Sequence, residues 1–175
     1  MDIGFFEKLS NEEAKLYLGN FLNEVSKGFS QIIPNLINGG IKADYSIESI
    51  KPILIWVIGN IKIAPEKNDE SIPKWITETE IYKKGLYSFD NFSKILVLRA
   101  AYYFGECFIK NHEKLYWDVG KSNTIEQNMP VITGFKKRKE LAPVMVCENL
   151  IRGIVEGKDP CIIDVSLKTW VSFID

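Results

Sequence analysis

Residues 92–112, FSKILVLRAAYYFGECFIKNH, are a long stretch with a helical pattern and no proline. Seven apolar or aromatic side chains in it recur with helical spacing: Ile95, Leu96, Ala100, Tyr103, Phe104, Cys107 and Phe108. Such spacing places them on one face of a helix. Ser88 or Asp90 can cap the first turn of this helix. We predict that it lies at the centre of the fold.

An N-terminal helix is indicated upstream. Ser10 and Glu13 have the spacing of a capping box, in which each side chain bonds the backbone amide of the other residue. Two signals for the end of this helix follow, at Ile33-Pro34 and at Asn38-Gly39-Gly40. A proline disfavours helical geometry in the residue before it, and paired glycines adopt the left-handed conformation of a helix stop.

A second helix is expected between Ser49 and Gly59-Asn60. Ser46 and Ser49 are both candidate caps, and Ser49 fits better because Pro52 then falls in the first turn. The helix is apolar nearly all round, which predicts a deep position in the core. From Pro65 to Asp90 the sequence turns charged, and we expect a long connection there.

Two short strands and further helical pattern follow the central helix. Leu115–Gly120 and Pro130–Gly134 should pair as a hairpin. A long helix should run from Pro143 to Glu156, with Gly157 as its stop. Residues 167–174 suit a helix or a strand equally. The expected fold class is α+β, a single α-rich domain over residues 1–175 with a small antiparallel hairpin packed on the central helix.

Composition excludes several classes of protein. The chain has 175 residues, 46% hydrophobic and 12% aromatic, which argues against disorder. Its 22 cations and 23 anions leave a net charge of -1, so no global field steers it to nucleic acid or to an anionic membrane. The apolar run at Pro52–Ile58 is too short to span a bilayer. With no signal-peptide pattern at the N-terminus, we expect a cytoplasmic protein with no membrane partner.

Motifs for cofactors and metals are also missing from the sequence. His112 is the only histidine, and it falls beside charged residues at a helix end. Gly120-Lys121-Ser122 resembles the tail of a phosphate-binding loop, but the glycine required five positions earlier is Leu115. Cys107, Cys147 and Cys161 have neither zinc-site nor disulfide spacing. We therefore predict no cofactor, no metal and no catalytic residue.

Glu106 is the one carboxylate on the apolar face of the central helix. It is expected to bond Arg99, Arg152, a tyrosine hydroxyl or the indole N–H of Trp117. The alternative is a pocket, lined by Tyr103, Glu106 and Trp117, in which the carboxylate serves an enzyme or binds a ligand. The neighbouring Gly105 weakens the helix, which indicates the close approach of another backbone, such as that of the hairpin.

Candidate contact residues for a protein partner fall in two segments. The charged connection holds Trp75, Glu78, Glu80 and Tyr82, with Trp75 as an exposed anchor on a short helix. The run Lys136, Lys137, Arg138 and Lys139 follows the second strand. It could contact an acidic patch of a protein, and weak binding of nucleic acid is the alternative.

Three segments together resemble a group of small bacterial proteins. They are Asp44–Ile50, which precedes a tryptophan-bearing helix, then Tyr103–Glu106, and then Trp117-Asp118. The resemblance spans residues 40–155, and members of this group are similar to immunity proteins that neutralise a polymorphic toxin. It implies a single-domain cytoplasmic protein whose partner is a toxin, and it carries over no catalytic residue.

Overall fold

The structure, a computed structural model, describes residues 3–65 and 87–174. Its helices are α1 (Ile3–Glu7), α2 (Asn11–Asn20), α3 (Ser26–Asn38), α4 (Ile50–Asn60), α5 (Asn91–Asn111), α6 (Pro143–Val155) and α7 (Cys161–Val171). A π-helical turn, Phe21–Val25, joins α2 to α3. The strands are β1 (Ile63–Pro65), β2 (Tyr87–Phe89), β3 (Tyr116–Val119) and β4 (Pro130–Thr133).

Helix α5 lies at the centre of the fold, as predicted. Its first turn is capped by Asp90, whose Oδ1 accepts a hydrogen bond of 2.8 Å from the backbone amide of Ser93. Helices α3, α4 and α6 all pack against it. The core cluster includes the buried α5 residues Leu96, Ala100, Tyr103, Phe104, Cys107 and Phe108. None of the helices in the described ranges combines the length and the apolar character needed to cross a bilayer.

The N-terminal helices begin and end where the capping box and the paired glycines predict, but they do not end at the proline. The capping box is present, with the Glu13 amide 3.2 Å from Oγ of Ser10. The helix nevertheless continues through Pro34 and ends at Asn38, before Gly40 at a φ of 72°. Proline removes one helical hydrogen bond, whereas continuing the helix buries Leu36 completely. Burial of that next apolar turn outweighs the missing bond.

Helix α4 lies less deep than its composition predicts. Ile53, Leu54 and Val57 are buried, but Ile55 is exposed and Trp56 is half-buried. Only one side of the helix can face α5, so the apolar residues opposite remain at the surface. Its predicted end at Asn60 is confirmed.

The predicted hairpin is confirmed. Strands β3 and β4 pair antiparallel, with Trp117 opposite Ile132 and Asp118 opposite Val131. The C-terminal segment, for which helix and strand were equally plausible, is the helix α7. Helix α6 is confirmed too, with Gly157 after its end at a φ of 97°. The described residues thus form an α-rich α+β fold with a small hairpin packed on a central helix.

A second antiparallel pair, β1 with β2, was not predicted. Ile63 lies opposite Phe89 and Pro65 opposite Tyr87. Each strand has three residues, too few for an alternating pattern, and no tight-turn signal links the two strands. The residues between them lie outside the described part of the chain, and so does the predicted helix around Trp75.

The hairpin packs on α5 where the helix has a glycine. A β-carbon added to Gly105 would lie 2.5 Å from Cη2 of Trp117, closer still to Cζ2, and 3.1 Å from Cδ1 of Ile132. The group that approaches Gly105 is therefore the indole ring, and the prediction of an approaching backbone was wrong. Glycine is required because the ring occupies the space of any larger side chain.

We expect the Gly105→Ala variant to be less stable than the wild type by about 1–3 kcal/mol, because the added methyl group must displace a packed ring. Urea denaturation measures this change in the free energy of unfolding. Gly19→Ala is the matched control, since a β-carbon there meets nothing within 4 Å and alanine favours a helix. Equal stability of the two variants would contradict the packing described here.

Candidate functional site

The Tyr103 hydroxyl is the centre of a buried hydrogen-bond network. It accepts a bond of 2.8 Å from the backbone amide of Tyr45 and lies 2.6 Å from Oγ of Ser49. Ser49 in turn donates to the carbonyl of Ser46 at 2.6 Å, so its Oγ accepts the Tyr103 proton. Ser49 stands at the predicted N-cap position of α4, but its side chain bonds Tyr103 rather than the helix amides.

This network attaches the segment Asp44–Ser49 to the central helix. Asn111 donates to the carbonyl of Tyr45 at 2.8 Å, and Nζ of Lys110 lies 3.3 Å from the centre of the Tyr45 ring. Tyr45 itself has a φ of 62°, an unfavourable value for a side chain of its size. Burial raises the pKa of the Tyr103 phenol, so its proton stays in place at neutral pH. Tyr103 therefore has a structural role.

Glu106 accepts a hydrogen bond of 2.9 Å from Nε1 of Trp117. Both residues are half-buried, so Trp117 is less enclosed than a core tryptophan. This bond is one of those predicted from the sequence, and it holds the hairpin against α5. No buried side-chain nitrogen or oxygen in the described ranges lacks a hydrogen-bond partner.

The cysteines and the histidine also have structural surroundings. Cys107 and Cys147 are buried, and burial raises both thiol pKa values, that of Cys107 to about 12. Cys161 is exposed, and a hydrogen bond with Asp159 raises its thiol pKa. All three thiols therefore stay protonated at neutral pH. His112 stands at the C-terminal cap of α5, and no metal-binding cluster is found in the parts of the chain that are described.

Glu106 is in the lining of none of the following three cavities among the described residues. One of about 180 Å³ separates α5 from α6 and has an apolar lining that includes Val97, Leu98 and Val144. One of about 270 Å³ lies at the end of α5 beside His112. A third, of about 290 Å³, is strongly charged. We call this third cavity the basic cleft, and its lining is Lys121, Thr124, Glu126, Lys137, Arg138, Lys139 and Glu140.

The basic cleft lies between two loops, one connecting β3 to β4 and the other connecting β4 to α6. Four of its side chains are cations and two are carboxylates. Lys137 and Arg138 are exposed, and neither has an ion pair within residues 3–65 and 87–174. Unpaired cations in a concave surface attract anionic groups. Of the predicted basic run, Lys137, Arg138 and Lys139 line the cleft, whereas Lys136 is exposed and is not part of the lining.

The loop that carries these cations is closed at its base. Ile132 donates to the carbonyl of Leu141 at 2.7 Å, and Leu141 donates back at 2.9 Å. The loop is also attached to the C-terminal region, because the amide of Lys136 donates to the carbonyl of Phe173 at 2.8 Å. These bonds restrain the backbone on both sides of Lys137 and Arg138.

Lys137 and Arg138 have left-handed backbones, with φ values of 55° and 53°. Such a conformation is unfavourable by about 1–2 kcal/mol for a residue with a side chain. Strained residues are concentrated at functional sites, where the surrounding structure holds them. Lys137 and Arg138 are two such cations in succession, which makes this loop a candidate site.

Lys121 enters the cleft from the other loop. Its Nζ lies 2.5 Å from Oε1 of Glu140, and its backbone amide donates to Oε2 of Glu140 at 3.1 Å. The Glu140 side chain is 8% exposed and that of Lys121 is 61% exposed. The carboxylate therefore lies in the wall of the cleft, and the ammonium group faces solvent.

Lys137, Arg138 and Lys139 belong to one basic run in the sequence, but no pattern there connects Lys121 or Glu140 with that run. Gly120-Lys121-Ser122 drew notice as a partial phosphate-loop motif, and Lys121 does reach a basic site, although not in that kind of loop. The pairing of Lys121 with Glu140 has no sequence signal. Trp75, Glu78, Glu80 and Tyr82 lie outside the described residues, so their proposed role as contacts stays a prediction.

No protein-family model, curated protein or solved structure matches this chain. The resemblance to immunity proteins therefore stays a prediction. What supports a function is the arrangement of charges and hydrogen bonds described above.

Replacing Tyr103 with phenylalanine should lower the free energy of unfolding by about 1–3 kcal/mol, because the Tyr45 amide loses its buried acceptor. Urea denaturation at pH 7 tests this expectation. Tyr116→Phe is the control, since Tyr116 is 57% exposed and should tolerate the change to within about 0.5 kcal/mol. A Tyr103 variant as stable as the control would show that the hydrogen-bond network does not contribute to the free energy of unfolding.

Lys137→Gly should raise the free energy of unfolding by about 1 kcal/mol, because glycine accepts a positive φ without strain. Lys137→Ala removes the same charge but keeps the strain, so its stability should stay within about 0.5 kcal/mol of wild type. Thermal or urea denaturation compares the three proteins. Destabilisation by glycine would mean that Lys137 makes a contact worth more than the strain.

Proposed function

We propose that this chain is a non-enzymatic protein-binding module that uses the basic cleft to contact an acidic surface of its partner. In its most specific form the proposal is an immunity-type protein, which neutralises a bacterial toxin by covering it. The single observation that carries the proposal is the pair of strained, exposed and unpaired cations Lys137 and Arg138.

The state of the ionisable groups favours binding over catalysis. Glu106 accepts the indole N–H of Trp117, and the Tyr103 phenol is buried in its own network. The cysteine thiols stay protonated, as described above. Side chains that stabilise the fold in this way are not poised for proton transfer or nucleophilic attack.

The composition of the cleft favours a protein over a nucleic acid. Glu126 and Glu140 lie among its cations, and these carboxylates repel a continuous phosphate backbone. Among the described residues no aromatic side chain lines the cleft, so bases have no stacking platform there. The net charge of -1 adds no long-range attraction to a polyanion. A localised acidic patch on a protein suits this mixture of charges better.

The test starts with recovery of the partner from the native host by affinity purification, followed by measurement of binary binding with purified proteins. The double variant Lys137→Glu, Arg138→Glu should bind the partner about 10–100 times more weakly than the wild type, because it places two anions against an acidic surface. For an immunity-type protein, the same variant should fail to protect cells that produce the partner.

The matched control is the double variant Lys15→Glu, Lys42→Glu. It makes the same change in net charge at two exposed lysines outside the cleft lining, and it should bind like the wild type. The proposal fails if no protein partner is recovered. It also fails if the two double variants lose affinity equally, since net charge alone would then explain the loss.

A further inference from the structure

The basic cleft has a feature that an electrostatic patch alone does not explain, namely the carboxylate of Glu140 in its wall. A carboxylate among cations lowers the attraction of the cleft for every anion. The Glu140 side chain is 8% exposed, and its carboxylate accepts from both the ammonium group and the backbone amide of Lys121, so the pair joins the two loops of the cleft. Both members of the pair line the cleft, which also connects the pair with binding.

The Lys121 ammonium group is arranged to hold two anions. It has three N–H donors, and the single contact with Oε1 of Glu140 uses one of them. The Lys121 side chain is 61% exposed, so the remaining donors are open to solvent, and Lys121 lines the same cleft as Lys137 and Arg138. Glu140 also accepts from the Lys121 backbone amide, which fixes the carboxylate independently of the ammonium group.

We infer that the cleft is the binding site for a carboxylate-rich peptide segment, and that Glu140 is a positioning residue which directs Lys121 toward that segment. This inference rests on the proposed function and specifies its chemistry. One carboxylate of the segment binds between Lys121 and the pair Lys137–Arg138. Arg138 offers the planar donor pair that matches a carboxylate, and the lysines act as point charges.

Glu140 also limits the affinity of the site. Its negative charge lies one ion-pair distance from Lys121 and therefore near any anion that Lys121 binds. Glutamine at this position keeps an oxygen that accepts from Lys121 but removes the charge. The substitution therefore separates the positioning effect of residue 140 from its electrostatic effect.

The experiment uses purified full-length protein and a blocked peptide of six glutamates, with binding measured by fluorescence anisotropy. Wild type should bind the peptide, and raising the salt concentration from 50 to 200 mM should weaken binding several-fold as charges are screened. Glu140→Gln should bind about 5–10 times more tightly, and Arg138→Ala about 10 times more weakly. Circular dichroism checks that both variants are folded.

A double-mutant cycle tests the role of Lys121. If Lys121 binds the peptide, Lys121→Ala should weaken binding in the Glu140→Gln background as well as in wild type. If Lys121 only neutralises Glu140, the substitution should have no effect once glutamine is present, and the inference is then wrong. Unchanged or weaker binding by Glu140→Gln would also overturn it.

An oligothymidylate with six phosphates is the competing probe. It should bind wild type more weakly than the peptide of equal charge, and equal or tighter binding would show that the site belongs to nucleic acid. The peptide assay needs no natural partner, so a failure of this inference can be distinguished from a failure of the proposed function. If the peptide binds but no partner is recovered, the inference about the cleft is supported and the proposed function is not. If a partner is recovered and substitutions at Glu140 and Lys121 do not change its affinity, only this inference is wrong.

Discussion

The contact between Trp117 and the Gly105–Glu106 step of α5 is the constraint on which the rest of the described structure depends. The indole ring lies where a side chain at position 105 would be, and its N–H bonds Glu106. This contact fixes the hairpin on the central helix. Ile132 of strand β4 pairs with Leu141, and this pairing closes the loop that contains Lys137 and Arg138. The hairpin that packs at Gly105 thus leads into both loops that line the basic cleft.

Asp44–Ile50, Tyr103–Glu106 and Trp117-Asp118, the segments on which the predicted resemblance is based, make the contacts that hold two elements on α5. Asp44–Ile50 is joined to α5 through Tyr45, Ser49 and Tyr103, and Trp117 joins the hairpin to Glu106. These residues hold the segment before α4 and the hairpin on one helix. None of them lines the basic cleft. These residues therefore stabilise the fold, and the cleft has to be judged on its own charges.

Local patterns in the sequence predicted most of the described elements. The spacing of apolar residues gave α5, the Ser10–Glu13 pair gave the start of α2, and Gly157 gave the end of α6. The errors arose where burial competes with local preference. Pro34 remains inside a helix because Leu36 must be buried, and Ile55 is exposed because only one side of α4 can face the core. The β1–β2 pair has no local signal, since its strands are short and far apart in the sequence.

For the candidate site, the sequence by itself determined that a basic run follows β4, that Glu106 needs a bonding partner and that Gly105 admits a close neighbour. These are consequences of residue type and of spacing within one element, which local physical chemistry governs. Only the tertiary structure decided that Lys121 and Glu140 meet, that Lys137 and Arg138 take left-handed backbones, and that all four share one cleft. Those outcomes depend on how two loops pack against each other, and the energy of an ion pair between loops is set by distance and burial that no stretch of sequence specifies.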